Sequence, residues 1–429
     1  MELTVKKAHN LKGIISVPGD KSISHRSIMF GALAEGVTHV TGFLAADDCI
    51  STMHCFEALG VKIERLSETE LKIHGVGLKG LKEPEVILDT GNSGTTTRIL
   101  TGILAGQNIF SVMTGDASIR KRPMARVVEP LRLMGARLWG REGGKYVPLA
   151  INGTRLKGIR YDLPVASAQI KTCLLFAGLL ADGETILTEP SKSRDHTERM
   201  LKLFGADLTI DTNTYTIAGG QKLSAAPVDV PGDISSAAFF IVAALLVGDS
   251  ALTIENIGVN QTRTGILDAL AAMGAGIKLS NELNISNEAR ATIEISGKQL
   301  TATTIEGDII PRLIDEIPII AVAATQAHGT TTIRDAGELR VKESDRIAAL
   351  AQELRKMGAD IEELDDGMII NGPTPLKGAR VQSHGDHRIA MSLAIAGLIA
   401  DGETVVEESE CIAISYPEFE RTLVELIDR

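Results

Sequence analysis

One plan recurs six times along the chain: a short polar cluster opens an apolar helix, a glycine follows, and a β-branched strand comes next. The copies begin at Pro18 (PGDKSISHRSIMFGALAEGVTHV), Gly91 (GNSGTTTRILTGILAGQNIFSV), Pro164 (PVASAQIKTCLLFAGLLADGETI), Pro231 (PGDISSAAFFIVAALLVGDSALTI), Ile314 (IDEIPIIAVAATQAHGTTTI) and Gly385 (GDHRIAMSLAIAGLIADGETVV). Their terminal glycines, Gly36, Gly106, Gly183, Gly248, Gly329 and Gly402, lie 70, 77, 65, 81 and 73 residues apart. Such a repeat makes each copy one supersecondary unit that buries its apolar face against its neighbours. It also delivers six helix N-termini dressed with polar side chains, and helix N-termini attract anions.

A second, amphipathic helix follows within the copies and is closed by Gly60, Gly135, Gly205, Gly274 or Gly358, the residue type that a left-handed helix C-cap needs. Each unit therefore reads as helix, strand, helix, then strands, which makes an α/β protein by pattern alone. The strongest self-match joins Val17-Pro-Gly-Asp to Val230-Pro-Gly-Asp and divides the copies three and three. This predicts a discontinuous domain of residues 1–18 and 232–429, holding both termini, and an inserted domain of residues 19–231. The crossings near 17–20 and 230–233 suit a hinge, and equally a pair of ordinary turns. A chain of 429 residues fills two domains of roughly 200.

Composition narrows the function. Aromatic residues make up only 3%, so stacking platforms for nucleic-acid bases are scarce and the cores are aliphatic. A net charge of −11 disfavours polyanions and acidic membranes, so any anion site must be a local basic cluster. Cys49, Cys55, Cys173 and Cys411 show no metal or redox spacing and read as buried free thiols. No signal-peptide pattern opens the chain, and the longest apolar run, Ala237–Val247, is too short to span a bilayer. These features predict a soluble cytoplasmic protein without nucleic-acid or membrane partners. Gly75-Val-Gly-Leu-Lys-Gly80 satisfies a dinucleotide-binding pattern, but Pro84 stands where the nucleotide helix would begin.

Basic residues at the helix starts carry the chemistry. Lys21, Arg26, Arg98 and Arg388 place positive charge in or near a first helical turn, where the macrodipole opposes it and a bound anion would relieve it. More cations cluster in Arg120-Lys-Arg-Pro-Met-Ala-Arg126 and in Lys342-Glu-Ser-Asp-Arg346, whose i,i+4 pair Lys342 and Arg346 is expected on one helical face. Together they suggest a site for a multiply charged phosphate or carboxylate. Asp315 and Glu343 are the candidate acid–base groups, with helix capping the structural alternative for Asp315. Ser167, Ser235 and Asp386 read individually as caps, and His25 and His387 as packing or hydrogen-bonding residues.

The ordered set PGDKSISHR, GNSGTTTR, KRPM, SAQIK, RDHTE, PGDISSAAFF, LIDEIP, VKESDRI, GDHRIAM and SYPEF resembles the motifs of the EPSP synthase (3-phosphoshikimate 1-carboxyvinyltransferase) family from about Pro18 to Phe419. SAQ and RDHTE are similar to the bacterial class II variants. The resemblance implies a two-domain inverted α/β barrel of six βαβαββ-type units, three per domain, the enolpyruvyl transferase fold. It implies transfer of the enolpyruvyl group of phosphoenolpyruvate to the 5-hydroxyl of shikimate 3-phosphate through a tetrahedral intermediate, with release of phosphate, on the route to chorismate and the aromatic amino acids. No metal or cofactor is implied, and a monomer is expected.

Carried over by resemblance, Lys21, Ser22, Arg26, Ser167, Gln169, Arg194, Asp315 and Lys342 would bind shikimate 3-phosphate. Lys21, Asn92, Gly94, Arg122, Gln169, Glu343, Arg346 and Arg388 would bind phosphoenolpyruvate. Asp315 would take the hydroxyl proton and Glu343 or Lys21 would supply the methylene proton, while the arginines neutralise moving charge. Ligands from both halves imply closure during catalysis, which excludes water. One departure is Ile414, where some members carry a Lys that helps bind phosphoenolpyruvate. Gly94 is the open residue type found in members sensitive to glyphosate, although class II forms are often tolerant. A related transferase acting on UDP-N-acetylglucosamine is disfavoured, because Gly115–Arg126 lacks its cysteine and Ser22 replaces its asparagine. A non-catalytic sensor of phosphorylated metabolites would gain nothing from Asp315 and Glu343.

Overall fold

The structure, a computed structural model, describes residues 1–427. The chain forms two units, each with its own apolar core. The inserted unit comprises Gly19–Val230 with Ile285–Glu288. The terminal unit comprises Met1–Pro18, Pro231–Asn284 and the chain from Ala289 onward.

Among the described residues six small sheets are present, three in each unit. The third copy shows the plan in full. Arg160–Asp162 pairs parallel with Glu184–Thr188, which pairs antiparallel with Thr214–Ala218, which in turn pairs with Leu208–Asp211. Helices Ala168–Leu180 and His196–Leu203 fill the connections, giving the order βαβαββ. At the two crossings the first strands are exchanged. Lys12–Ile15, which precedes the first copy's helix, pairs parallel with Ala251–Gly258 of the fourth, and Val228–Asp229, which precedes the fourth helix, pairs parallel with Glu35–Thr41 of the first. The N-terminal strand Glu2–Lys6 pairs antiparallel with Glu403–Glu407 and completes the sixth sheet.

The periodicity explains the layering. The opening helices are apolar nearly all round, as in Ile234–Leu246, and such a helix is stable only when enclosed. Ile23–Leu33 and Ile234–Leu245 are accordingly buried without interruption. The strands alternate buried and less buried residues, as in Glu184–Thr188, so each sheet presents one face to these helices and one outward. Helices lie inside and sheets outside, the inverted arrangement. In the inserted unit Phe30 packs between Phe176 and Phe204, with ring centroids 4.7 and 5.3 Å apart. In the terminal unit Tyr416 and Phe419 of the closing SYPEF segment pack on Phe240, 5.9 and 5.5 Å away.

The second-helix glycines behave as the spacing predicts: Gly60, Gly135, Gly205, Gly274 and Gly358 follow their helices at φ of 81–93°. The glycines after the opening helices differ from expectation. Those helices stop at Leu33, Ala105, Leu180, Leu246, Ala324 and Gly397, so only Gly106 stands at the cap. Gly329 instead opens the following strand and Gly36 stands second in its own, at φ of 109° and 113°. Gly75 of the dinucleotide-like pattern lies in the strand Leu71–Val76, and the next helix does not begin until Gly94.

Candidate active site

In the inserted unit, Asp20 caps helix Lys21–Leu33 by accepting from the Ile23 amide at 2.9 Å, which fixes Lys21 as the first helical residue. Lys21 Nζ lies 3.1 Å from Asp48 Oδ2. Arg26 is buried and donates from Nε to Thr197 Oγ1 at 2.7 Å, from Nη2 to Thr172 Oγ1 at 2.9 Å and from Nη1 to the Ser22 carbonyl at 3.0 Å. One guanidinium thus joins three helices and is held in a fixed orientation. His25 bonds Thr52 Oγ1 at 2.7 Å, and burial, reinforced by Lys21 and Arg26, pushes its pKa well below the usual value. The packing and hydrogen-bonding role matches the sequence reading, and burial adds that the imidazole is held neutral.

A second cluster in this unit surrounds helix Gly94–Ala105, capped by Ser93. Arg122 donates to Asn92 Oδ1 at 2.6 Å and Asn92 donates to Asp116 Oδ2 at 2.6 Å. Arg98 donates to Gln169 Oε1 at 2.7 Å, and Gln169 donates to Thr95 Oγ1 at 3.1 Å. A Cβ on Gly94 would stand 2.8 Å from Arg98 Nη1 and 3.3 Å from Arg122 Nη1, so the missing side chain is what leaves room between these two cations and the helix start. Ser167 caps its helix, though its Oγ lies 3.5 Å from the Ile170 amide. Arg194 is half-buried in the turn before helix His196–Leu203. Ser22 is half-buried in the first turn of its helix.

In the terminal unit the carboxylates and cations converge on Arg346. This buried residue reaches Asp386 Oδ2 at 2.8 Å, Glu343 Oε2 at 2.5 Å and Asp315 Oδ1 at 3.2 Å. Burial opposes its charge, yet Asp386, Glu343 and Asp315 more than offset that cost and raise its pKa further. Lys342 Nζ lies 3.8 Å and Arg388 Nε 3.9 Å from the same Asp315 oxygen. Burial lowers the Lys342 pKa, and Asp315 only partly restores it. Arg388 also donates to the Asp315 carbonyl at 3.1 Å, and Asp386 caps its helix by accepting from the Arg388 amide at 2.9 Å.

Two expectations and the capping alternative for Asp315 do not hold. Lys342 and Arg346 do not share a helical face, because Asp345 caps helix Arg346–Lys356 through the Ala348 amide and leaves Lys342 on extended backbone. Both cations still reach Asp315, but by tertiary approach. Asp315 is not a cap, since Glu316 occupies that position before Ile317–Ala324 and makes no side-chain cap bond. Ser235 is not a cap either; Asp233 takes that role by accepting from the Ser235 amide at 2.9 Å.

Arg98, read from the sequence as one of the anion-attracting cations at a helix start, is placed here against Gln169. Sequence reasoning gives no site role to Asp48, Asp116 or Glu316, and no local signal marks them. Among the described residues no helix is long and apolar enough to cross a membrane, and no group of His, Cys, Asp and Glu is arranged to hold a metal.

The EPSP synthase family model, described as 3-phosphoshikimate 1-carboxyvinyltransferase, matches residues 5–423. The chain is a member of the EPSP synthase family. It is 55% identical over 427 residues to the 3-phosphoshikimate 1-carboxyvinyltransferase of Desulforamulus reducens, with all of both chains covered. Against the protein of that name from a Synechococcus strain it is 54% identical, covering 99% of this chain and 97% of the relative. The solved EPSP synthase structure from Acinetobacter baumannii matches with a TM-score of 0.88 at 46% identity, over 99% of this chain and 98% of that one. Membership bears out the inverted α/β fold of the EPSP synthases that the motifs implied.

Proposed function

We infer that this chain is a 3-phosphoshikimate 1-carboxyvinyltransferase: it transfers the enolpyruvyl group of phosphoenolpyruvate to the 5-hydroxyl of shikimate 3-phosphate and releases phosphate. The observation that carries the reading is the attachment of two carboxylates, Asp315 and Glu343, to the single guanidinium of Arg346. An addition–elimination at an enol carbon needs a base for the attacking hydroxyl and an acid for the methylene, beside a cation that follows the moving charge.

In this reading Asp315 removes the 5-hydroxyl proton as the oxygen attacks the central carbon of phosphoenolpyruvate, and Glu343 or Lys21 delivers a proton to the methylene carbon. The tetrahedral ketal then loses phosphate while a methyl proton returns to the protein, which restores the enol double bond. Arg122, Arg346 and Arg388, with Asn92 and Gly94, hold phosphoenolpyruvate. Lys21, Ser22, Arg26, Ser167, Gln169, Arg194 and Lys342 hold shikimate 3-phosphate. Arg26 is suited to its part because its three fixed bonds leave little side-chain entropy to lose on binding. The protein acts as a cytoplasmic monomer on small-molecule substrates.

The test is phosphate release with both substrates and with each omitted. Release that requires the pair supports the assignment; release from phosphoenolpyruvate alone, or none with the pair, rejects it.

A further inference from the structure

The fourth copy of the repeat opens with Ser235 and Ser236 and carries no residue assigned to substrate, yet its helix start holds a buried charge network. Arg263 Nη2 donates to Asp233 Oδ1 at 2.9 Å and to Ser235 Oγ at 2.7 Å. A guanidinium has no acceptor, so Ser235 receives that bond and its own proton is directed elsewhere. It goes to Glu316 Oε1, to which Ser235 Oγ is hydrogen-bonded. Glu316 Oε1 in turn lies 3.9 Å from Arg388 Nη1, the nitrogen that also donates to the Asp315 carbonyl.

Glu316 is 1% exposed, and a carboxylate withdrawn from water is costly unless its partners are well placed. Such a group is a poor choice for stability and a good one for orientation. The series Arg263, Ser235, Glu316, Arg388 runs from the fourth copy through the fifth to the sixth. It fixes one terminal nitrogen of Arg388 between a carbonyl and a carboxylate, and so leaves a defined direction for the remaining donors.

We propose that Glu316 is a positioning residue for phosphoenolpyruvate, acting through Arg388 and itself held by Ser235 and Arg263. The proposal rests on the reading of Arg388 as a phosphoenolpyruvate ligand. Glu316 touches no substrate; it sets the angle at which Arg388 meets the anion.

The experiment is steady-state phosphate release by Glu316→Gln, Ser235→Ala, Arg388→Ala and the double variant Glu316→Gln/Arg388→Ala, with melting curves for each. Glu316→Gln is expected to raise the KM for phosphoenolpyruvate about tenfold while the KM for shikimate 3-phosphate stays within about twofold; Ser235→Ala shifts the same constant by less. In the Arg388→Ala background Glu316→Gln adds nothing further, because its effect passes through that side chain. Equal rises in both KM values, or a full additional rise in the double variant, would mean a general structural role and overturn the proposal. Should Glu316→Gln fail to fold, Ser235→Ala and its double variant with Arg388→Ala carry the same comparison. If Arg388→Ala itself leaves the phosphoenolpyruvate KM unchanged, the reading of Arg388 fails and the proposal with it. If Arg388→Ala raises it and neither Glu316→Gln nor Ser235→Ala does, only the proposal fails.

Discussion

Arg346 holds Asp386 through Nε at 2.8 Å and Glu343 through a terminal nitrogen at 2.5 Å, so one buried cation fixes a helix cap and a candidate proton donor together. Removing it leaves buried carboxylates without their partner. Arg346→Met is expected to lose about 3–5 kcal/mol in urea unfolding. Turnover should fall by about 10²–10³. Arg346→Lys should fall between, because one ammonium cannot reproduce the fork. An unfolding midpoint equal to that of the parent would contradict the account.

Asp315 accepts from Arg346 and faces Lys342 and Arg388, a setting in which an ionised carboxylate is favoured. Asp315→Ala should lose most of its turnover and still bind shikimate 3-phosphate by calorimetry. Unchanged turnover would remove Asp315 from the base role.

The space at Gly94 is measurable by filling it. Arg98 cannot easily retreat from an added methyl, since Gln169 holds it at 2.7 Å. Gly94→Ala is therefore expected to raise the KM for phosphoenolpyruvate roughly tenfold and to weaken inhibition by glyphosate, with a melting temperature close to the parent. Coincident inhibition constants for the two proteins would defeat the steric argument.

Lys342 supplies a pH prediction. Burial lowers its folded pKa below the unfolded lysine value, so between the two the unfolded chain binds more protons and stability rises with pH. In the folded enzyme the ammonium is lost earlier than in free lysine. The basic limb of kcat/KM for shikimate 3-phosphate should thus fall below the ordinary lysine range and move upward in Lys342→Arg, whose guanidinium keeps its charge. Superimposable profiles would exclude Lys342 as the titrating group.

Lys171 tests the inserted unit apart from the chemistry. Its Nζ is fully buried and lies 2.6 Å from both Glu189 and Glu198, and burial raises the Glu198 pKa despite that cation. Lys171→Met should cost about 3–5 kcal/mol near neutral pH. Without Lys171 the raised pKa means that Glu198 gains a proton on folding, so its part of the deficit grows as pH rises and shrinks as pH falls toward the ordinary carboxylate range. A deficit independent of pH would show that Glu198 does not titrate in this way.

Much of this was legible in the chain. A polar start, an all-round apolar helix and a glycine after an amphipathic one are local patterns, and caps such as Asp386 and glycines such as Gly358 obey local geometry. The site was legible mainly through resemblance, because Asp315, Lys342 and Arg346 look individually like a cap and a surface charge run. Lys171 inside SAQIK carries no local signal of its role, since nothing near it in the chain shows that Glu189 and Glu198 close on it.

The sequence by itself determined six units, their helices and turns, and where cations would stand at helix starts, because each depends on residues within a few positions of one another. The tertiary structure alone decided that Lys12–Ile15 and Val228–Asp229 exchange partners, since strand pairing is satisfied by whichever edge packing brings alongside. It also decided that Lys342 reaches Asp315 without a shared helix and that Ser235 supports Glu316 beside Arg388. Those contacts join residues that local pattern leaves unrelated, and burial gives them their strength.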